Sequence, residues 1–281
     1  MDFSKMKKAQ VFSPPLMAIY GPPGIGKTAF GIGADSATDF KVGRDNHLLV
    51  NVDYRGADRL VCNRATDLLG RPICENSATK DLNVIFKNLE EQEHDISWII
   101  FDDLSTIEEC FVREVCEENN VDEIKKIEYG RGYELAKAKW HHLFQRIKDL
   151  QMVKPIGVLL IGHTKIENQK DPMTDSYSRH DLQLDKRSKE IIKKAVDLIG
   201  FAHKKTFTKD AEGAFGKKEV VILGKSKRVM TFAPDLEGFE SKDRFNLPEE
   251  IALDWSIFED ELNKSLNVQT QKTPQKNKKG E

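Results

Sequence analysis

The chain has 281 residues and a mass of 32.0 kDa, with 39% hydrophobic and 32% charged residues, which excludes both a wholly disordered chain and a polytopic membrane protein. At roughly 150 residues per domain, this length fits about two domains, or one large α/β domain with attachments. The formal charge of -2 does not by itself announce a nucleic-acid binder.

In chain order, residues 1–13 form an N-terminal extension without the apolar core of a signal peptide ahead of Pro14 and Pro15. No later run approaches the ~18 apolar residues of a spanning helix, so a cytoplasmic protein with no membrane partner is expected. Residues 16–20 are apolar and end in a glycine-rich turn, reading as a buried strand, with a helix from Lys27. A second strand is expected over 48–52, a helix over 82–89 and a third strand over 98–101, ending at Asp102. Ile107, Cys110, Phe111 and Val115 share one helical face, as do Ala136, Trp140, Leu143, Phe144, Ile147 and Leu150. Residues 156–161 are a fourth apolar strand, ending at Gly162 and His163. From Glu167 to Lys186 the chain is polar without periodicity, and a long loop is expected there. A helix over 189–199, antiparallel strands over 201–207 and 219–223 around a glycine-containing turn, and a last helix over 254–266 follow. Residues 267–281 are polar and lysine-rich and read as a disordered tail. Cys62, Cys74, Cys110 and Cys116 match no zinc spacing and are too sparse for a disulfide framework, so reduced thiols are expected.

Alternating strands and helices predict a mostly parallel sheet covered on both faces and closed by a C-terminal antiparallel pair. Ligands in such sheets bind at the carboxyl ends of the strands, where Gly21, Asp53, Asp102 and His163 are placed. Charge is unevenly distributed. Residues 102–123 hold nine acids against one base, Arg113, whereas residues 185–228 hold thirteen Lys or Arg against six acids. The basic stretch is either a solvated face or a surface that meets phosphate.

The segment GPPGIGKT, followed by Ala29, has the phosphate-loop spacing, with a strand before it and a helix after it. Gly21, Pro22, Pro23, Gly24, Ile25, Gly26, Lys27, Thr28 and Ala29 are therefore the candidate nucleotide contacts. Glycines let backbone N–H groups converge on phosphates, Lys27 reaches the β and γ oxygens, and Thr28 ligates Mg²⁺. Asp102, at the end of WIIF, is the second Mg²⁺ contact or else a helix cap. Asp103 is either a general base for the attacking water or the cap of the helix that follows. His163 is either a sensor of the γ-phosphate or a structural strand-end histidine.

There is no NKxD guanine reader, no LSGGQ-like signature, and too little chain after Arg228 for the helical lid of an AAA+ module. The order that remains, carried by GPPGIGKT, DYRGADRL, WIIFDD, YGRGYELAKAKWHHLF, LLIGHTK and GKSKR, resembles the phage RecA-like ATPases of the AAA_24 and Sak type over residues 14–233. The resemblance implies a RecA-like P-loop NTPase core over 14–233, followed by a C-terminal extension over 234–266. It also implies an ATPase using ATP and Mg²⁺, acting on single-stranded DNA in phage recombination within the host cytoplasm. A homo-oligomer, ring or filament, and a phage single-strand-binding protein are the implied partners. In that family the loop corresponding to 166–187 contacts DNA; here Tyr177 would stack on a base and Arg179, Lys186 and Arg187 would neutralise phosphates. Lys225, Lys227 and Arg228 stand where such proteins present cations to a neighbouring subunit's ATP. One departure is Arg55, in Asp53-Tyr54-Arg55-Gly56, where relatives usually carry a water-activating glutamate. Asp53, Asp58 and Asp103 are the substitutes, and slow turnover is an expected outcome. The alternative function is a switch ATPase that remodels or loads a protein partner through the acidic 102–123 face; a small-molecule phosphotransferase is the weakest reading.

Overall fold

Short apolar runs, each bounded by glycine or polar residues, form the central strands of one mixed sheet. The computed structural model describes residues 14–34, 41–52, 59–169, 176–212, 218–233 and 238–271. The strands are β1 (Leu16–Gly21), β2 (His47–Asn51), β3 (Asn63–Arg64), β4 (Trp98–Asp102), β5 (Gly157–Gln169), β6 (Tyr177–Leu182), β7 (Leu198–Glu212), β8 (Lys218–Thr231), β9 (Lys242–Asp243) and β10 (Glu250–Ala252). The helices are α1 (Lys27–Gly31), α2 (Ala65–Leu69), α3 (Ala78–Glu91), α4 (Leu104–Glu118), α5 (Arg131–Val153), α6 (Lys186–Ala195) and α7 (Trp255–Gln271). The sheet order is β10-β8-β7-β1-β5-β4-β2-β3, parallel from β7 to β3, with β7 and β8 as the C-terminal antiparallel pair. This is the doubly covered, mostly parallel architecture expected of a RecA-like P-loop core.

Strand alternation sorts the apolar side chains into two cores. Leu16, Ala18 and Tyr20 of β1 pack with α3, α4, α5 and α6, while Met17 and Ile19 pack with α1 and α7. Helix entry follows local capping. The Ser77 hydroxyl accepts the Lys80 N–H ahead of α3, and the Asp103 carboxylate accepts the Thr106 N–H ahead of α4.

Three segments differ from expectation. The polar stretch after Glu167 is not a structureless loop. Residues 164–169 pair with β6 in an antiparallel hairpin, from Thr164↔Leu182 to Gln169↔Tyr177. Polar partners hold it: Asp181 is buried and bonded to Lys189 and Lys193, and Lys189 also bonds Glu167. A hairpin stabilised by ion pairs shows no apolar alternation. Second, α6 ends at Ala195, because Leu198 and Ile199 leave the helix to pair with Met17 and Ala18 of β1. Third, the last helix runs past Leu266 to Gln271; residues 1–13 and 272–281 lie outside the described residues.

The phosphate-loop helix is unusually dependent on its surroundings. With five residues, α1 is far shorter than the roughly 12–15 a helix needs to persist alone. Its Phe30 ring lies 5.2 Å from Trp255 and 5.6 Å from Phe258 of α7, and its Gly31 carbonyl accepts a 2.8 Å bond from His47 Nδ1. The fully buried His47 therefore carries its proton on Nδ1, and Nε2 has no partner. Burial lowers the His47 pKa to about 4, against the pull of the Gly31 bond. The unfolded chain thus binds a proton between about pH 6.5 and 4 that the folded chain refuses, so stability is full above this window and falls as pH drops through it, by about 3 kcal/mol in all. Urea midpoints taken from pH 7 to 4 should show this slope in the wild type and a shallower one in His47→Asn, whose amide still donates to Gly31 but does not titrate. Parallel slopes would remove His47 as the cause.

Candidate nucleotide site

The carboxyl ends of β1 and β4 and the middle of β5 open into one cleft of about 380 Å³, where Gly26, Lys27, Thr28, Asp102, Asp103 and His163 converge with Leu60. Larger grooves lie between the helices and at the β3 edge, at about 530 and 520 Å³. Neither gathers a phosphate loop, and the smaller cleft is the candidate site.

Glycine is required in the loop at particular points. Gly26 has φ of 110°, a left-handed conformation that side-chain-bearing residues resist, and a Cβ on Gly21 would lie 2.1 Å from the Ala202 carbonyl oxygen. Ile25 is buried and anchors the loop in the core beneath it. Pro22, Pro23 and Gly24 form the crest of the loop, with Gly24 also left-handed at φ 72°. Ala29 is buried behind it.

The Lys27 ammonium donates to the carbonyls of Gly21 (2.9 Å) and Pro22 (3.0 Å). Burial depresses its pKa, with Asp102 and Asp103 pulling the other way. These are bonds that phosphate oxygens can replace. The Thr28 hydroxyl donates to Asp102 Oδ2 at 2.5 Å. Burial raises the Asp102 pKa to about 6, against the opposing effects of the Thr28 bond and Lys27. A hydroxyl and a carboxylate at this distance are hard oxygen donors of the kind Mg²⁺ takes alongside substrate phosphates.

The helix cap is Asp103, not Asp102. Asp103 Oδ1 accepts the Thr106 N–H at 2.9 Å, and Oδ2 lies 3.3 Å from His163 Nε2. Burial pushes the Asp103 pKa up, but the His163 and Thr106 bonds outweigh it and hold the carboxyl below its ordinary value. Register produces this contact: Gly21 stands beside His163 and Asp102 beside Ile161 across three parallel strands. Asp53, Arg55 and Asp58 lie outside the described residues.

The sequence-derived DNA residues are spread over the hairpin and α6. Tyr177 pairs with Gln169 at the far end of the hairpin. Arg179 is committed within the protein, 3.3 Å from Glu240 and bonded to the Phe239 carbonyl. Lys186 opens α6 and is exposed; Arg187 lies over the Tyr133 ring at 5.1 Å and 3.8 Å from Glu134. Lys227 and Arg228 are exposed in β8, opposite Lys205 and Lys204 of β7; Lys225 also falls in β8, with its side chain outside the described residues. The β1–β7 pairing ends at Tyr20↔Phe201, so these cations lie past the carboxyl edge of β1, on the side of the phosphate loop. Sequence reasoning missed Leu60 in the cleft and the seating of α1 by α7; the second had a signal in Trp255 and Phe258, whose spacing marks one helical face.

A family model described as an AAA domain, AAA_24, matches residues 13–245. No curated protein matches the chain. Among solved structures, the RadB recombinase aligns at 14% identity over 85% of each chain with a TM-score of 0.42. The flagellar accessory protein FlaH from Methanocaldococcus jannaschii aligns at 12% identity over 80% of this chain and 79% of that one, with a TM-score of 0.37. A KaiC-like protein from Pyrococcus horikoshii OT3 aligns at 10% identity over 77% of each, with a TM-score of 0.35.

Proposed function

Because the chain belongs to the AAA_24 family of AAA domains, we propose that it binds Mg²⁺·ATP in this cleft, hydrolyses it, and uses the cycle to grip single-stranded DNA in phage recombination. The observation that carries the nucleotide reading is the meeting of Lys27, Thr28 and Asp102 at one strand edge, with the amine on replaceable carbonyls and the Mg²⁺ donors already in contact. Lys27 binds the phosphates, Thr28 and Asp102 hold the metal, and Mg²⁺ supplies charge neutralisation at the transferring phosphoryl group.

Two features support the DNA reading. The β5–β6 hairpin grows directly from His163, so the cleft and the hairpin share one continuous strand along which a nucleotide-dependent change would pass. The pairs Lys204↔Arg228 and Lys205↔Lys227 gather four cations on β7 and β8, a concentration that suits a polyanion, with Glu250 2.8 Å from Lys205. Lys225, Lys227 and Arg228 would meet a neighbouring subunit's ATP in a homo-oligomer.

ATP turnover measured with and without single-stranded DNA at two salt concentrations tests this reading. Stimulation by DNA that collapses at the higher salt is expected, because phosphate contacts release counterions. DNA-independent turnover at both salts would favour a protein-directed switch. That second reading draws on the groove of about 530 Å³ beside α4, where Glu108, Glu109, Glu117, Asp122 and Glu123 surround Val112, Val121 and Ile124. None of the described helices is long and apolar enough to cross a membrane.

A further inference from the structure

The hydrolysis proposed above needs a group to take a proton from water. The titratable residues lining the cleft among the described residues are Lys27, Asp102, Asp103 and His163. Three have other duties. Lys27 faces phosphate. Asp102 is bonded to Thr28 and assigned to the metal. Asp103 has both oxygens engaged: Oδ1 accepts the Thr106 N–H at 2.9 Å, and Oδ2 lies 3.3 Å from His163 Nε2.

His163 is different. Its side chain is 35% exposed at the cleft, while that of Asp103 is only 9% exposed. An ionised carboxylate only accepts hydrogen bonds, so the ring nitrogen facing it must carry the hydrogen. With Nε2 protonated, Nδ1 holds the lone pair, and it has no protein partner among the described residues. We infer that His163 is the general base of this ATPase, accepting the proton of the attacking water on Nδ1, and that Asp103 is its positioning residue.

The inference rests on the ATPase reading. The water oxygen bonds to the γ-phosphorus as its proton passes to Nδ1. The bond from that phosphorus to the β,γ-bridging oxygen breaks, and its electron pair stays on ADP. Asp103 stabilises the imidazolium, which then releases its proton to solvent, so no further reactant is needed. The helix cap is part of the device, because the Thr106 N–H fixes the carboxylate that orients the ring.

Asp103→Asn separates orientation from folding. Asparagine caps as well as aspartate, so Thr106 keeps its acceptor. Its amide nitrogen, turned towards Nε2, is a donor and demands the opposite tautomer, which costs turnover even where geometry is kept. The expected result is a fall in kcat of at least a hundredfold for both Asp103→Asn and His163→Gln, with Mg²⁺·ATP affinity within about threefold of wild type. Independently of activity, ¹⁵N-detected ring spectra of the nucleotide-free full chain, assigned through His163→Gln, should show His163 as the Nε2–H tautomer, switching to Nδ1–H in Asp103→Asn. A wild-type Nδ1–H ring overturns the dyad. An Nε2–H ring combined with unimpaired turnover in His163→Gln overturns the base assignment and leaves the ATPase reading standing. A wild type that binds Mg²⁺·ATP but forms no ADP, with or without DNA, overturns both.

Discussion

Lys27→Ala is expected to lose nucleotide binding by a hundredfold or more while the fold remains. Lys27 is 5% exposed and its ammonium is held by the Gly21 and Pro22 carbonyls, so it is already aimed into the phosphate loop. Charge-assisted bonds contribute about 1.5–3 kcal/mol each, and losing the two that an ammonium makes to β and γ oxygens removes on the order of 3 kcal/mol or more, at least two powers of ten in Kd. Stability should change far less. A buried cation is costly to desolvate, and its departure offsets the loss of its two hydrogen bonds to the Gly21 and Pro22 carbonyls. Titration of a fluorescent ATP analogue with Mg²⁺, paired with a thermal melt, checks both halves. Affinity within threefold of wild type in a folded mutant would end the phosphate-loop assignment.

What was legible in the sequence was what depends on local chemistry. Glycine spacing disclosed the phosphate loop because a left-handed Gly26 and a crowded Gly21 tolerate little else. Apolar runs disclosed β1, β4 and the start of β5 because strands buried on both faces need them. The β5–β6 hairpin was hidden because Asp181, Lys189 and Glu167 hold it with charge instead of apolar alternation. The end of α6 was misplaced because Ile199 continues an apolar stripe by coincidence, and only pairing with β1 shows that it has left the helix. In the sequence Asp103 reads as either cap or base. Its cap role and its contact with His163 coexist, and the second depends on strand register between segments some sixty residues apart, which spacing alone does not reveal. The hold of α7 on α1 is more distant still, joining Phe30 to Trp255.

That distant contact has the second large consequence. Trp255 is fully buried, 5.2 Å from Phe30, 4.7 Å from His47, 4.9 Å from Trp98 and 5.4 Å from Phe258. Trp255→Ala should cost about 3–5 kcal/mol through lost burial and the cavity left behind, lowering Tm by roughly 10 °C. A second effect separates it from ordinary core damage. Lys27 and Thr28 sit on one turn of helix whose only large apolar side chain, Phe30, rests on this ring, so the cavity frees the residues proposed to bind phosphate and metal. Trp140 provides the control. It is equally buried, lies 5.2 Å from Phe111 in the core on the other face of the sheet, and like Trp255 has an indole nitrogen without a partner. Trp140→Ala should destabilise the protein comparably while leaving Mg²⁺·ATP affinity nearly unchanged, whereas Trp255→Ala should weaken it about tenfold at a temperature where both are folded, the 1.4 kcal/mol that one misplaced charged contact represents. Equal affinities in the two mutants would reduce α7 to plain core packing. A selective loss would extend the nucleotide site to a helix lying beyond residue 245, where the family match ends.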